Sequence, residues 1–277
     1  QLIYERNLNQ PMPSSIPFAQ SRRPYPLFNN ITYAENGANS SYNALQLQVQ
    51  KRFSHGFLFT SGWTWAKALS EIDDTGDFEL NTQIENAYDR ARDRGNLYSV
   101  PRHQWQNQAL WELPLGKGFL RSGWQLNTLL NLQTGNWLNP QFSGSDPSNT
   151  NTLSGRPDVV KAISYPKSMN LWYDPTAFAV PVSGFGNAAR NSIQGPGFVL
   201  WNLGLSKTFK LERFGSIQLA GNFQNIINHP NLGEPTAGAS SPSVAVNNVN
   251  AGKITSTHIF PAAGSPRTGQ LALRWMF

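Results

Sequence analysis

Several things are missing from this 277-residue chain, and each absence removes a class of protein. There is no cysteine, so neither a disulfide scaffold nor a thiolate metal site is available. No apolar run approaches the roughly 18 residues that a membrane-spanning helix needs, and mean hydropathy is −0.42. Charged residues make up only 14% of the chain and apolar residues 39%, below the usual globular share. The net charge is +6, yet the basic residues are scattered and form no basic aromatic patch. Nucleic acid is therefore not an expected partner. The four histidines, His55, His103, His229 and His258, lack metal spacing, and no Gly-x-Ser-x-Gly elbow occurs. No cofactor, resident metal or catalytic set is expected, and the chain does not read as an enzyme.

What is present is alternation. Aromatics reach 12%, with 9 Trp, and Gln, Asn, Ser, Thr and Gly fill long stretches. Apolar residues recur at every second position near 42–53, 57–68, 103–113, 123–137, 198–211, 216–227 and 268–277, the period of a strand with two unlike faces. On one face fall Leu45, Leu47, Trp63, Trp105, Trp124, Leu126, Trp201, Leu203, Leu219 and Trp275. On the other fall Gln46, Gln48, Gln50, Gln104, Gln106, Gln125, Asn127, Asn202, Gln218 and Asn222.

A face in bulk water is usually rich in Lys and Glu. A face of neutral hydrogen-bonding groups suits the wall of a wet lumen. The strands pair through short connections, whereas 70–102, 139–197 and 228–267 are long and rich in Gly, Pro, Asn and Ser. Short turns at one end and long loops at the other are the pattern of an outer-membrane β-barrel, with the loops outside the cell. The expected fold is all-β and antiparallel, seven clear strands and a partial one near 1–9. The apolar face meets lipid, with Trp and Tyr gathered at the ends of the apolar band. Lys51 and Lys207 break that face beside short turns, where their amines are expected to snorkel to head groups.

The chain resembles the Oar-like TonB-dependent outer-membrane receptors. The resemblance rests on Ser41-Tyr-Asn-Ala-Leu-Gln-Leu-Gln-Val-Gln-Lys-Arg-Phe53, on Phe223-Gln-Asn-Ile-Ile-Asn-His-Pro-Asn231, and on Pro266-Arg267 before a closing strand ending in Phe277. Arg6-Asn-Leu-Asn-Gln-Pro11 and Ile254-Thr-Ser256 add to it. It implies the C-terminal part of a barrel of about 22 strands. It further implies an N-terminal carboxypeptidase-regulatory-like domain and a plug, with import of a bulky extracellular ligand driven by the TonB complex. The closing strand, with Leu271, Leu273, Trp275 and Phe277, is then the signal read by the barrel-assembly machinery. Beginning at Gln1, the chain reads as a piece of a longer exported protein. Two other readings remain open: a small outer-membrane barrel acting as adhesin or structural protein, and a secreted carbohydrate-binding β-sandwich.

Half of the 16 carboxylates crowd between Glu71 and Asp93. Asp73, Asp74 and Asp77 have the hard oxygens that calcium takes, but not the EF-hand spacing. A solvated loop is the preferred reading. The alternation of Arg90, Arg92 and Arg94 with Asp89 and Asp93 points to ion pairing within that loop. Aromatics such as Trp172, Tyr173, Phe178 and Phe185 are expected to pack the loops together rather than to stack on a ligand.

Overall fold

The computed structural model describes residues 2–73, 83–211, 214–237, 239, 243–258 and 266–277. Its main body is an antiparallel sheet of seven long strands. They are β1 (Ser40–Ser54), β2 (Phe57–Ser70), β3 (His103–Glu112), β4 (Trp124–Gln133), β5 (Phe198–Lys210), β6 (Ser216–Gln224) and β7 (Thr268–Met276). They lie side by side in chain order, and a two-residue strand, Gly95–Asn96, adds to the end of β2. Neighbours in the chain are neighbours in the sheet, as expected of hairpins joined in series. The sheet does not close: β1 and β7 are its two edges.

Three short connections, at 55–56, 113–123 and 211–215, share one end, and β7 finishes there too. The first is a two-residue turn in which His55 and Gly56 both take positive φ, 52° and 73°. That is the hairpin turn whose twist matches the flanking strands, and Gly56 adopts it without steric cost. The three long connections share the other end.

Register sorts the side chains. One row of partners runs Leu47, Trp63, Trp105, Leu132, Val199. The next but one runs through Phe59, Ala109, Thr128, Leu203 and Phe223. The face so built is apolar and uncovered: Leu47 is 55% exposed, Trp105 45% and Leu273 74%. Trp63, Trp124, Leu126 and Leu203 share it but are half-buried, because aromatic and branched neighbours shield one another. No second sheet lies across it among the described residues, as a sandwich requires.

Its indoles fall at two levels. Trp111, Trp124 and Trp275 sit within one residue of the short-turn end of their strands, while Trp63, Trp105 and Trp201 lie six to nine residues further along. At about 3.3 Å per residue in tilted strands, that separation suits an apolar band about 25 Å tall.

Hydroxyls on the apolar face are paired within it, while Asn107 Nδ2 is buried without a hydrogen-bond partner. The Ser61 hydroxyl donates to Asn107 Oδ1 (2.6 Å) and accepts from the Trp105 indole N–H (2.8 Å). The Trp201 indole donates to Thr128 Oγ1 (2.7 Å), which donates on to the Asn202 carbonyl (3.2 Å). In hydrocarbon an unpaired hydroxyl costs several kcal/mol, so these indoles serve as covers as well as anchors.

Lys51 and Lys207 differ from each other. Lys51 lies at the surface, donating to Ser54 Oγ (2.7 Å) beside the Phe57 ring. Lys207 is only 2% exposed. Its ammonium donates to the Ser122 carbonyl and lies 4.8 Å from the Phe209 ring centroid and 5.9 Å from that of Trp124. It does not snorkel; it is turned inward and ties the 113–123 connection to the sheet.

Other segments depart from a simple strand-and-loop pattern. Leu2–Asn7, read as a partial barrel strand, pairs with Thr32–Ala38 in a separate two-stranded sheet. β4 stops at Gln133, and Trp137–Ser143 is a new strand pairing with Ile193–Gln194, Ser154–Gly155 and Ser243–Ala245. β6 stops at Gln224, where Asn225 takes φ 48°.

The two faces predict opposite responses to charge. Leu203→Arg should destabilise the inserted protein by about 2–4 kcal/mol, while Gln106→Arg on the polar face should cost well under half of that. Urea unfolding from vesicles of the two variants checks this.

Candidate functional site

The polar face holds the first candidate site. Gln46, Thr64, Gln104 and Gln133 form one row of partners; Gln48, Gly62, Gln106 and Asn131 form another. Further across, Asn127, Gly204, Asn222 and Gln270 are aligned, as are Thr208, Gln218 and Arg274. All ten Gln and Asn residues picked from the sequence therefore lie on this face. A hollow of about 380 Å³ opens on it, bounded by Gln48, Thr60, Gly62, Thr64, Gln104 and Gln106. Gln104 Nε2 donates to Gln133 Oε1 across the strands (3.0 Å). The surface offers amide donors and acceptors with little net charge, which suits passage of a hydrated solute without trapping an ion.

Two glycines on this face have opposite surroundings. A Cβ on Gly62 would meet nothing within 4 Å, because it borders the hollow. A Cβ on Gly204 would overlap the Asn127 carboxamide and come 2.7 Å from Asn222 Oδ1. Gly204 is the gap that lets two asparagines from neighbouring strands lean together.

The second candidate is the cap formed at the long-connection end. Its apolar centre is Leu138, Phe142, Tyr173, Phe178, Ile193 and Val244, drawn from 134–197 and 225–258. A smaller cluster joins Tyr4, Ala38, Ile72 and Ile84. Tyr173 is fully buried, and desolvation pushes its hydroxyl pKa well above the usual range. Trp172 donates to the Gln194 carbonyl (2.8 Å), and Phe185 lies under the Arg92 guanidinium. The aromatics of these connections are packing groups. At the rim, His103 stacks on Trp63 and His258 lies against Phe198.

Ion pairs stitch the cap together. Arg156 pairs with Glu85 (2.9 Å) and with Asp93 (2.5 Å), and Arg92 also reaches Glu85 (2.9 Å). Arg190 pairs with Asp73 (2.6 Å), whose carboxylate also accepts from Asn191 Nδ2. Arg90 pairs with Glu71 (2.8 Å). A hydrogen bond to the Tyr4 side chain first, then Glu71, holds the Arg90 guanidinium above its ordinary pKa. The network is thus not confined to its own loop. Arg156 and Arg190 come from the following connection, at sequence separations that no local pattern announces. Asp174, at the edge, is held down to about 2 by Lys161 and then by Thr176, whose amide it caps.

This bears on the calcium candidates. Asp73 is occupied by Arg190 and Asn191, while Asp74 and Asp77 lie outside the described residues. Among the described residues no cluster of three or more His, Asp or Glu is placed to hold a metal. A cavity of about 890 Å³ lies beside the ion pairs, bordered by Asn7, Gln10, Glu71, Asn151, Arg156 and Arg190 among others.

With this geometry in place, comparison with known proteins identifies the class. Residues 1–270 match the outer membrane beta barrel domain family, and the chain belongs to it. It is a bacterial outer-membrane protein. Neither the curated proteins nor the solved structures contain a match.

Two predictions follow from these contacts. Gly204→Ala should destabilise the sheet by about 1–3 kcal/mol through overpacking, while Gly62→Ala should be close to neutral; heat-modifiability of the inserted protein reads both. Arg156→Met leaves the buried Asp93 carboxylate without its cation, while Glu85 keeps Arg92, a loss of about 3–5 kcal/mol. It should appear as faster proteolysis of the 83–102 and 134–197 connections, with the strands still protected.

Proposed function

We propose that this chain is the C-terminal wall of a TonB-dependent, Oar-like receptor that imports a bulky ligand, a transporter rather than an enzyme. The observation that carries the reading is the open sheet. Seven long strands end at two bare edges, β1 and β7, and in lipid every backbone N–H and C=O needs a partner within the protein. Further strands must complete the wall. An open sector of seven strands fits a wide barrel, and its neutral, hydrogen-bonding inner face suits a large hydrated solute. The resemblance of the segments at 41–53, 223–231 and 266–277 to the Oar-like receptors supplies the energy source, because nothing in a passive wall performs work. The cap would then meet the ligand outside the cell, on polar groups around its cavity.

The test is direct. The full-length product of the gene should capture the purified periplasmic domain of TonB, and substitution in its TonB-contacting segment should abolish capture. A full-length product that ends without such a segment and captures nothing would return the protein to the adhesin or structural reading.

The closing strand has a separate role in this proposal. All nine residues of β7 are exposed, Leu271 and Leu273 at 78% and 74%. The Trp275 and Phe277 rings lie edge to face, 5.8 Å apart. A strand with one free edge can add to another sheet through its backbone. Deleting Phe277 should reduce the amount of heat-modifiable receptor in the membrane several-fold while ligand binding per inserted molecule stays unchanged. Normal insertion with lost binding would remove the assembly role.

A further inference from the structure

Charge is divided unevenly between the ends of the sheet. Counted by position in the chain, segments 51–56, 112–123, 207–215 and 274–277 hold eight of the 22 Lys and Arg but only two of the 16 Asp and Glu. Their surplus of six equals the whole net charge of +6. The rest of the chain holds 14 Lys and Arg and 14 Asp and Glu, and so carries no net charge. The short-turn end carries the positive surplus.

The longest of these turns, 113–123, is also unlike an ordinary polar connection. It lies back along the apolar face instead of extending into water. Three contacts hold it: Lys207 to the Ser122 carbonyl, the Trp124 indole donating to the Leu120 carbonyl (2.8 Å), and Phe119 against Phe209 with ring centroids 5.0 Å apart. So held, it leaves Leu115, Phe119 and Leu120 exposed at 54%, 60% and 71%, with Lys117 and Arg121 exposed between them. It sits at the level of Trp111, Trp124 and Trp275, where the aromatic belt marks the edge of the hydrocarbon.

Apolar side chains beside two cations at that depth meet acyl chains below and head groups above. A zwitterionic head group gives the two cations no net attraction, whereas an anionic one attracts both. We propose that the 113–123 turn is a binding site for anionic phospholipid of the leaflet that faces the short turns, with Leu115, Phe119 and Leu120 against the acyl chains and Lys117 and Arg121 on the phosphate. Lys207 is a positioning residue: its buried ammonium fixes the turn against the face and does not touch the lipid. The proposal concerns the membrane partner and does not depend on transport.

The test uses the full-length protein in vesicles, with spin-labelled phosphatidylglycerol and phosphatidylcholine competing for the protein surface. Phosphatidylglycerol should be favoured about two- to five-fold at low salt, with the preference falling toward one at high salt. Lys117→Gln with Arg121→Gln should abolish most of the preference, and Lys117→Arg with Arg121→Lys should keep it. Lys67→Gln, at the far end of β2, should leave it unchanged. Heat-modifiability confirms insertion of each variant; the single substitutions, measured separately, carry the test should the double one not insert. No preference in the unaltered protein, or a preference that survives the double substitution, overturns the proposal. So does lipopolysaccharide displacing phosphatidylglycerol from the same site, which would put this turn in the opposite leaflet. Loss of TonB capture with the lipid preference intact would count against the transport reading alone.

Discussion

Every feature of this protein answers to one constraint: in hydrocarbon no water is available to satisfy a backbone amide or carbonyl. Strands must therefore pair with one another, and β1 to β7 do so in chain order, each antiparallel to the next. The same constraint reaches the side chains. Ser61 and Thr128 are tolerated on the apolar face because the Trp105 and Trp201 indole N–H groups bond their hydroxyls. Pairing stops at the two edge strands, β1 and β7.

The two ends of the sheet solve different problems. The long connections carry twelve of the 16 carboxylates and build a second, water-type core around Leu138, Tyr173 and Ile193. They are then locked by arginines reaching from one connection to the next. Such buried pairs contribute little net stability but are costly to break singly, so they hold the cap in one arrangement. The short turns carry the surplus of positive charge and an apolar tongue laid on the lipid face. One end is built to be shaped and the other to be anchored.

Between them, the polar face does the least chemistry and sets the most geometry. Its amides make few bonds with one another, leaving their capacity open toward the lumen. Gly62 widens the hollow and Gly204 narrows the wall by letting Asn127 and Asn222 converge. The hollow's shape thus depends on which small residue falls beside which neighbour, not on composition.

Most of the sheet was legible in the sequence because a strand's side chains alternate with period two whatever lies around it. The faces of β1 to β7, the side on which the short turns lie, and the ten polar residues at 46–222 all follow from that local rule. So does the lipid reading, since neutral amides opposite Trp and Leu make a poor water surface and a good lumen. What local pattern does not contain is partnership over distance. That Arg156 would neutralise Glu85 and Asp93, that Arg190 would occupy Asp73, and that Trp137–Ser143 would be a strand of the cap depended on which connections met. Lys207 shows the same division. Its place on the apolar face was plain from alternation, but its burial was decided by the 113–123 turn folding back onto Trp124 and Phe209, contacts that only the tertiary structure brings within reach.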